Sequence, residues 1–228
     1  MSKNDKILFV WDFHGVLEKN NEYAVQEVCN LTLKKFNIDK KISLQEVIDW
    51  YGLSFFDYFK LAVPEGNEEL WKDMVNKTYE LKQRGWNIIE KHIRPQDYSN
   101  KVLKEIKNKG HYNIVLSNSR LEHTKRFVKV VGLNDYLNEI IGAENTHHDS
   151  RASNNIHNIK AELLNNFLKG SNYKKIIAIG DKESDIVAGK KCGATTYLFI
   201  NSKINKNTNN TKADYTISDL REVLKELE

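Results

Sequence analysis

Short apolar runs separated by longer stretches of helical periodicity organise this chain. Residues 7–11 (ILFVW), 114–116 (IVL) and 176–179 (IIAI) are aliphatic or aromatic, and each run stops abruptly at polar residues. That is the pattern of strands buried on both faces of a parallel sheet. Weaker runs at 195–200 and 140–141 predict two more strands. Between the runs, residues 98–109, 122–131, 159–168 and 184–191 carry helical spacing. Strands alternating with helices predict an α/β fold, a Rossmann-like parallel sheet with helices on both faces. Residues 19–92 differ, showing helical periodicity alone, over 22–36, 43–50, 55–61 and 68–84. Ser43 with Glu46 three residues later reads as a capping box. The expected organisation is a core of residues 1–18 and 93–228 with an inserted all-helical cap at 19–92. Such a cap, starting just past the first strand, is placed to act as a lid. Residues 201–212 read as a polar loop and 217–227 as a final amphipathic helix.

Composition narrows the function classes. Lys plus Arg exceeds Asp plus Glu by 35 to 31, and the lysines are interleaved with glutamates instead of gathered in a patch. This argues for solvated helix faces and against a nucleic-acid partner. Two isolated cysteines, Cys29 and Cys192, fit a reducing compartment. The first apolar run is five residues, too short for a signal peptide or a membrane span. A cytoplasmic location with no membrane partner is expected. Nothing in the pattern chooses between monomer and homodimer.

Ligands of doubly wound sheets bind beyond the carboxyl ends of the strands, so the residues after the three strong runs carry the chemistry. Asp12 ends the first run and Gly15 permits a sharp turn; Ser117, Asn118 and Ser119 follow the second; Asp181 and Asp185 follow the third, in GDKESD. Lys160 opens the helical pattern before the third run, although Lys174 and Lys175 lie nearby. If the strands are adjacent, one cleft collects three carboxylates, a hydroxyl, an amide and an ammonium. Clustered carboxylates suit a hard cation such as Mg2+, which offsets the charge of a bound phosphate. Asp12 is then positioned to attack phosphorus, with Ser117 and Lys160 stabilising the phosphoryl oxygens.

The order DxxGxL, apolar-SN, a lone Lys and GDxxxD, with a helical insertion after the first motif, resembles the haloacid dehalogenase superfamily over nearly the whole chain. The segments GLNDYLNEIIGAE and ADYTISDLREVL add to it. The resemblance implies that Asp12 is nucleophile and metal ligand. It implies that the backbone carbonyl of His14 and the carboxylate of Asp181 complete the metal site, with Asp185 beside them or acting through water. Ser117 and Asn118 would bind the phosphoryl group, and Lys160 would be the third-motif lysine. The implied function is a Mg2+-dependent phosphatase of a small phosphorylated metabolite.

Phosphatases of this superfamily usually carry a second aspartate two residues after the nucleophile; here that residue is His14. An imidazole can serve as general acid or base near neutral pH. A weakly catalytic phosphate-binding protein, a phosphomutase, and a dehalogenase or phosphonate-cleaving hydrolase are the alternatives. The retained Asp181 and Asp185 count against the dehalogenase branch, which does not keep an acidic GDxxxD. The phosphonate branch uses a cap lysine, and Lys60, Lys72 and Lys77 are candidates. The sequence His147-His148-Asp149, with His157 beyond, lacks the i, i+4 spacing of a metal site and reads as a solvated loop. The aromatic residues Trp50, Tyr51, Phe55, Phe56, Tyr58, Phe59 and Trp71 read as a packed cap core.

Overall fold

A computed structural model of the chain describes residues 5–84, 86–143, 156–201 and 212–228. The side chains of residues 83–86, 143 and 156–158 are outside that description, as are His147, His148 and Asp149. The chain divides into two compact units, one of Met1–Lys19 with Arg94–Glu228 and one of Asn20–Ile93.

The first unit opens with β1 (Ile7–Trp11) and the two-residue β2 (Glu18–Lys19). The second unit then contributes α1 (Asn21–Lys35), α2 (Leu44–Asp49), α3 (Phe55–Ala62), α4 (Glu68–Arg84) and α5 (Trp86–His92). Back in the first unit come β3 (Arg94–Pro95), α6 (Ser99–Asn108), β4 (Tyr112–Arg120), α7 (Leu121–Val130) and β5 (Glu139–Ala143). They are followed by α8 (Ile156–Leu168), β6 (Lys175–Gly180), α9 (Glu183–Lys191), β7 (Thr195–Phe199), β8 (Tyr215–Ile217) and a 3-10 segment at Leu220–Leu227.

Six strands form one parallel sheet in the order β5-β4-β1-β6-β7-β8. β1 is central because all five of its residues are apolar and buried, which only a strand flanked on both edges and covered on both faces achieves. The chain winds outward from β1 to β5, then crosses back to start β6 on the other side of β1. The strand order therefore reverses between β1 and β6, the position where open α/β sheets bind their ligands. Leu8, Val10, Ile114, Leu116 and Ala178 of the sheet pack as one apolar cluster with Leu164 of α8. A buried polar cluster at β1 and β4 is satisfied. The Trp11 indole donates to Asn113 Oδ1 at 3.1 Å, and Asn113 Nδ2 donates to the carbonyls of Leu103 and Tyr136 at 2.9 and 3.1 Å. Asn113→Leu strands three buried groups at once. It is expected to lower stability to urea by about 2–3 kcal/mol, and a loss within experimental error would show that water reaches the cluster.

β2 and β3 pair antiparallel where the chain leaves the first unit and returns to it, through Glu18 with Pro95 and Lys19 with Arg94. The Gln96 amide donates to the Leu17 carbonyl at 2.9 Å and Lys19 reaches Asp97 at 2.5 Å.

The helical unit has its own core of Val28, Cys29, Leu33, Ile42, Val47, Tyr58, Phe59 and Met74. The aromatic residues serve it: Tyr58 and Phe59 are buried, Trp50 meets Tyr58 edge-on at 5.5 Å, and Phe56 meets Trp71 at 5.8 Å. Ser43 caps α2 with Glu46 in a reciprocal box, and Ser54 caps α3 with Asp57 in the same way.

Two expectations change. The terminal segment is not one helix. Ile217 closes β8, whose pairing with β7 holds it extended, and only residues 220–227 coil. α8 begins at Ile156, so Lys160 lies in its second turn and does not open it. Asp181 precedes α9, Lys182 stands at its N-cap and Asp185 lies in its first turn.

Candidate active site

The register of the sheet sets the site. Trp11 aligns with Val115 on β4 and with Ile179 on β6, so the residues after each strand emerge together at one edge. The amide of Asp12 still donates to the Ile179 carbonyl at 2.8 Å, which pins Asp12 at the end of the ladder. Beyond it the chain folds tightly: the amides of Val16, Leu17 and Glu18 all donate to the Phe13 carbonyl, and Gly15 takes φ 87°, a conformation that favours glycine.

Carboxylate oxygens of Asp12, Asp181 and Asp185 lie within 4.8 Å of one another. Lys160 Nζ donates to Asp12 Oδ1 at 2.6 Å and to Asp185 Oδ1 at 2.5 Å. Lys160 is thus the lysine brought to the site, while Lys175 pairs with Glu226 instead. Asp185 Oδ2 also accepts from the Lys182 amide at 3.1 Å, which ties the carboxylate to the start of α9. Gly180 makes this possible. A Cβ at position 180 would lie 2.1 Å from the Asp185 Cβ, so no other residue lets that side chain fold over the end of β6.

Electrostatics follow from burial. Asp181 and Asp185 are nearly inaccessible to solvent. Burial pushes the Asp181 carboxyl up to about 8, aided by the charges of Asp12 and Asp185 and opposed by Lys182 and Lys160. Asp185 is raised by the same cause, against the pull of Lys160. Burial works against the Lys160 ammonium, but the two carboxylates it bridges outweigh it and hold it charged.

Because the folded Asp181 keeps its proton to higher pH than the unfolded chain does, folding without metal binds protons. Stability in chelator is therefore expected to fall as pH rises from about 4 to about 8. Asp181→Asn should flatten that slope, measured by thermal melts in chelator across this range, and an unchanged slope in the variant would contradict the assignment.

The donor set fits a divalent metal. Three hard oxygen donors converge where positive charge is short, which is the condition under which buried carboxylates bind a hard cation and release protons.

The other expected residues sit at the same sheet edge. Ser117 is buried within β4, where the pairing with β5 shifts register, and its hydroxyl accepts from the Ser119 amide at 3.2 Å. The Asn118 side-chain oxygen is buried and makes no hydrogen bond among the described residues. His14 follows Asp12 in the tight turn. Its ring lies edge-on to Phe13 and Phe127 at 5.2 and 4.9 Å, and its Nδ1 contacts Glu18 Oε1 at 2.9 Å. Sequence reasoning passed over Glu18. The sequence offered only a glutamate four residues after a histidine and directly after Val16-Leu17; its burial comes from the fold.

Residues 9–199 match the haloacid dehalogenase-like hydrolase family. The chain belongs to that family. Among this hydrolase's relatives is a protein of Caldanaerobacter subterraneus subsp. tengcongensis provisionally named pyrophosphatase PpaX. It is 24% identical over 223 residues, covering 95% of this chain and 92% of that one. A phosphoglycolate phosphatase of Aquifex aeolicus is 28% identical over 130 residues, 54% of each chain. The fold matches that of the haloacid dehalogenase-like family protein SP0104 from Streptococcus pneumoniae with TM-score 0.78, at 13% identity over 99% of both chains. As in that family, the chain is an α/β enzyme of the hydrolase class. Among the described residues no helix is long and apolar enough to cross a membrane.

Proposed function

We propose that this hydrolase is a Mg2+-dependent phosphatase of a small phosphorylated metabolite, working through a phosphorylated Asp12. The observation that carries the reading is the convergence of Asp12, Asp181 and Asp185 within 4.8 Å, with the Lys160 ammonium bridging Asp12 and Asp185. The relatives named as phosphatases support the reaction class.

Asp12, Asp181 and the backbone carbonyl of His14 would hold the cation, with Asp185 beside them. Both Asp185 oxygens already accept hydrogen bonds, so it serves chiefly to hold Lys160 and to reach the cation through water. When bound, the cation neutralises and polarises the phosphate. In the first step an Asp12 carboxylate oxygen attacks phosphorus as the bond to the leaving oxygen breaks, and that oxygen takes a proton from His14. Ser117, Asn118 and Lys160 bind the phosphoryl oxygens, and Lys160 also keeps Asp12 ionised and oriented. In the second step water attacks the phosphorus of the aspartyl-phosphate. Its proton passes to His14, and the Asp12 carboxylate leaves, closing the cycle.

The imine chemistry of the phosphonate branch finds less support: Lys72 and Lys77 are engaged with Glu68 and Glu80 on their own helix at 2.6 and 2.7 Å. Turnover of 4-nitrophenyl phosphate with and without Mg2+, followed by acid-quenched trapping of phosphate on Asp12, tests the proposal. Hydrolysis in chelator at the Mg2+ rate, or trapped label on any other residue, would falsify it.

A further inference from the structure

Glu18 has a feature the reaction just described does not use. Its side chain is fully buried, with 0% exposure, while that of its partner His14 is 19% exposed. A carboxylate removed from water costs several kcal/mol unless it is paired. Glu18 Oε1 meets His14 Nδ1 at 2.9 Å, and Oε2 is buried with no hydrogen bond among the described residues. The contact is not the i, i+4 pair of a surface helix. Residues 13–18 form the tight turn that converges on the Phe13 carbonyl, and Glu18 is tied by backbone pairing to Pro95. The carboxylate is therefore delivered to the imidazole by rigid backbone, while the rings of Phe13 and Phe127 bound that imidazole edge-on.

We propose that Glu18 is a positioning residue that acts through His14. It accepts the Nδ1 proton, fixes one tautomer and ring orientation, and leaves Nε2 as the nitrogen that exchanges a proton with the leaving group and with water. A carboxylate held against the far nitrogen of a working imidazole fixes its tautomer in the same way elsewhere. The usual second aspartate of these phosphatases needs no such partner, because a carboxyl has no tautomer to choose. A histidine at that position creates the need, and position 18 meets it. The inference rests on the reading of His14 as the group that moves the proton.

Two measurements on the full chain test it. The first is kinetic, with 4-nitrophenyl phosphate and glycerol 2-phosphate in saturating Mg2+. Glu18→Gln keeps shape and an acceptor but loses the charge, and Glu18→Leu loses both. Turnover is expected to fall in the order wild type, Gln, Leu, by roughly 10-fold to 100-fold, with KM nearly unchanged and the loss larger for the alkyl ester. In a His14→Ala background the same Glu18 substitutions should cost nothing further. An equal loss in that background, or turnover in Glu18→Gln equal to wild type, overturns the proposal. The second is spectroscopic and needs no activity: nitrogen-15 shifts of the wild-type imidazole should report a proton on Nδ1. A wild-type ring protonated on Nε2 alone overturns the positioning role even if the enzyme is a phosphatase. A ring protonated on Nδ1 in a chain that hydrolyses no phosphate ester would sink the phosphatase reading and leave the Glu18 contact standing.

Discussion

Asp12→Asn is expected to lower phosphatase turnover by about 10^4-fold or more, the scale at which a nucleophile is lost, while leaving the protein folded. The amide is nearly isosteric, and its oxygen can still accept from Lys160, now 2.6 Å from Asp12 Oδ1. What is lost is the negative charge that attacks phosphorus. Stability should hold or rise in chelator, because one of three mutually repelling carboxylates is gone. Phosphate release measured beside a thermal melt separates the two effects. Asp12→Ala guards against slow deamidation restoring the acid. Residual turnover near the wild-type rate in either variant would mean that another group attacks, and the reading of the site would fall with it.

Lys160→Met is expected to show the second largest effect, with a signature of its own. The ammonium is buried between Asp12 and Asp185, and taking it away leaves two carboxylates facing each other without compensation. Breaking a buried ion pair in this way costs about 3–5 kcal/mol. Without the lysine the folded carboxylates hold protons more tightly than the unfolded ones do. The lost stability should therefore return as pH is lowered toward about 5, and it should be absent at neutral pH. Mg2+ should restore stability as well, since a cation replaces the missing charge, yet turnover should stay at least about 100-fold down because the phosphoryl oxygens lose a fixed donor. Thermal melts with and without Mg2+, set beside phosphate release, check both halves. A variant that recovers full turnover in Mg2+ would show that Lys160 only balances charge.

Both substitutions act on one electrostatic arrangement, and the pH slope expected for Asp181 comes from the same source. Burial has raised two carboxylates, and one lysine is held charged against its own desolvation. A cation-free site in this condition works against folding, so a cation bound there would add stability.

The sequence alone determined the sheet and named most of the polar residues that gather at its edge. A five-residue apolar run such as 7–11 is too short to span a membrane or form a helix of its own. As a strand with no polar face it fits only the middle of a sheet. Asp12, Ser117 and Asp181 were legible for the same reason: each is the first polar residue, or close to it, where such a run ends. The capping box at Ser43 needed nothing beyond four neighbouring residues. Tertiary structure decided the rest. β2, β3 and β8 are two or three residues long and carry no periodicity, so only their partners make them strands. The helical pattern over 68–84 matches α4, while the seven-residue α5 (Trp86–His92) is too short for periodicity to announce it. Lys160 could not be told from other lysines by local pattern, since its partner Asp12 lies 148 residues away. Glu18 reads as an exposed polar residue by chemistry, and it is buried because the turn after Asp12 and the pairing with Pro95 carry it inside. Local propensity records what a residue prefers by itself; burial and charge pairing are set by neighbours that only the closed fold supplies.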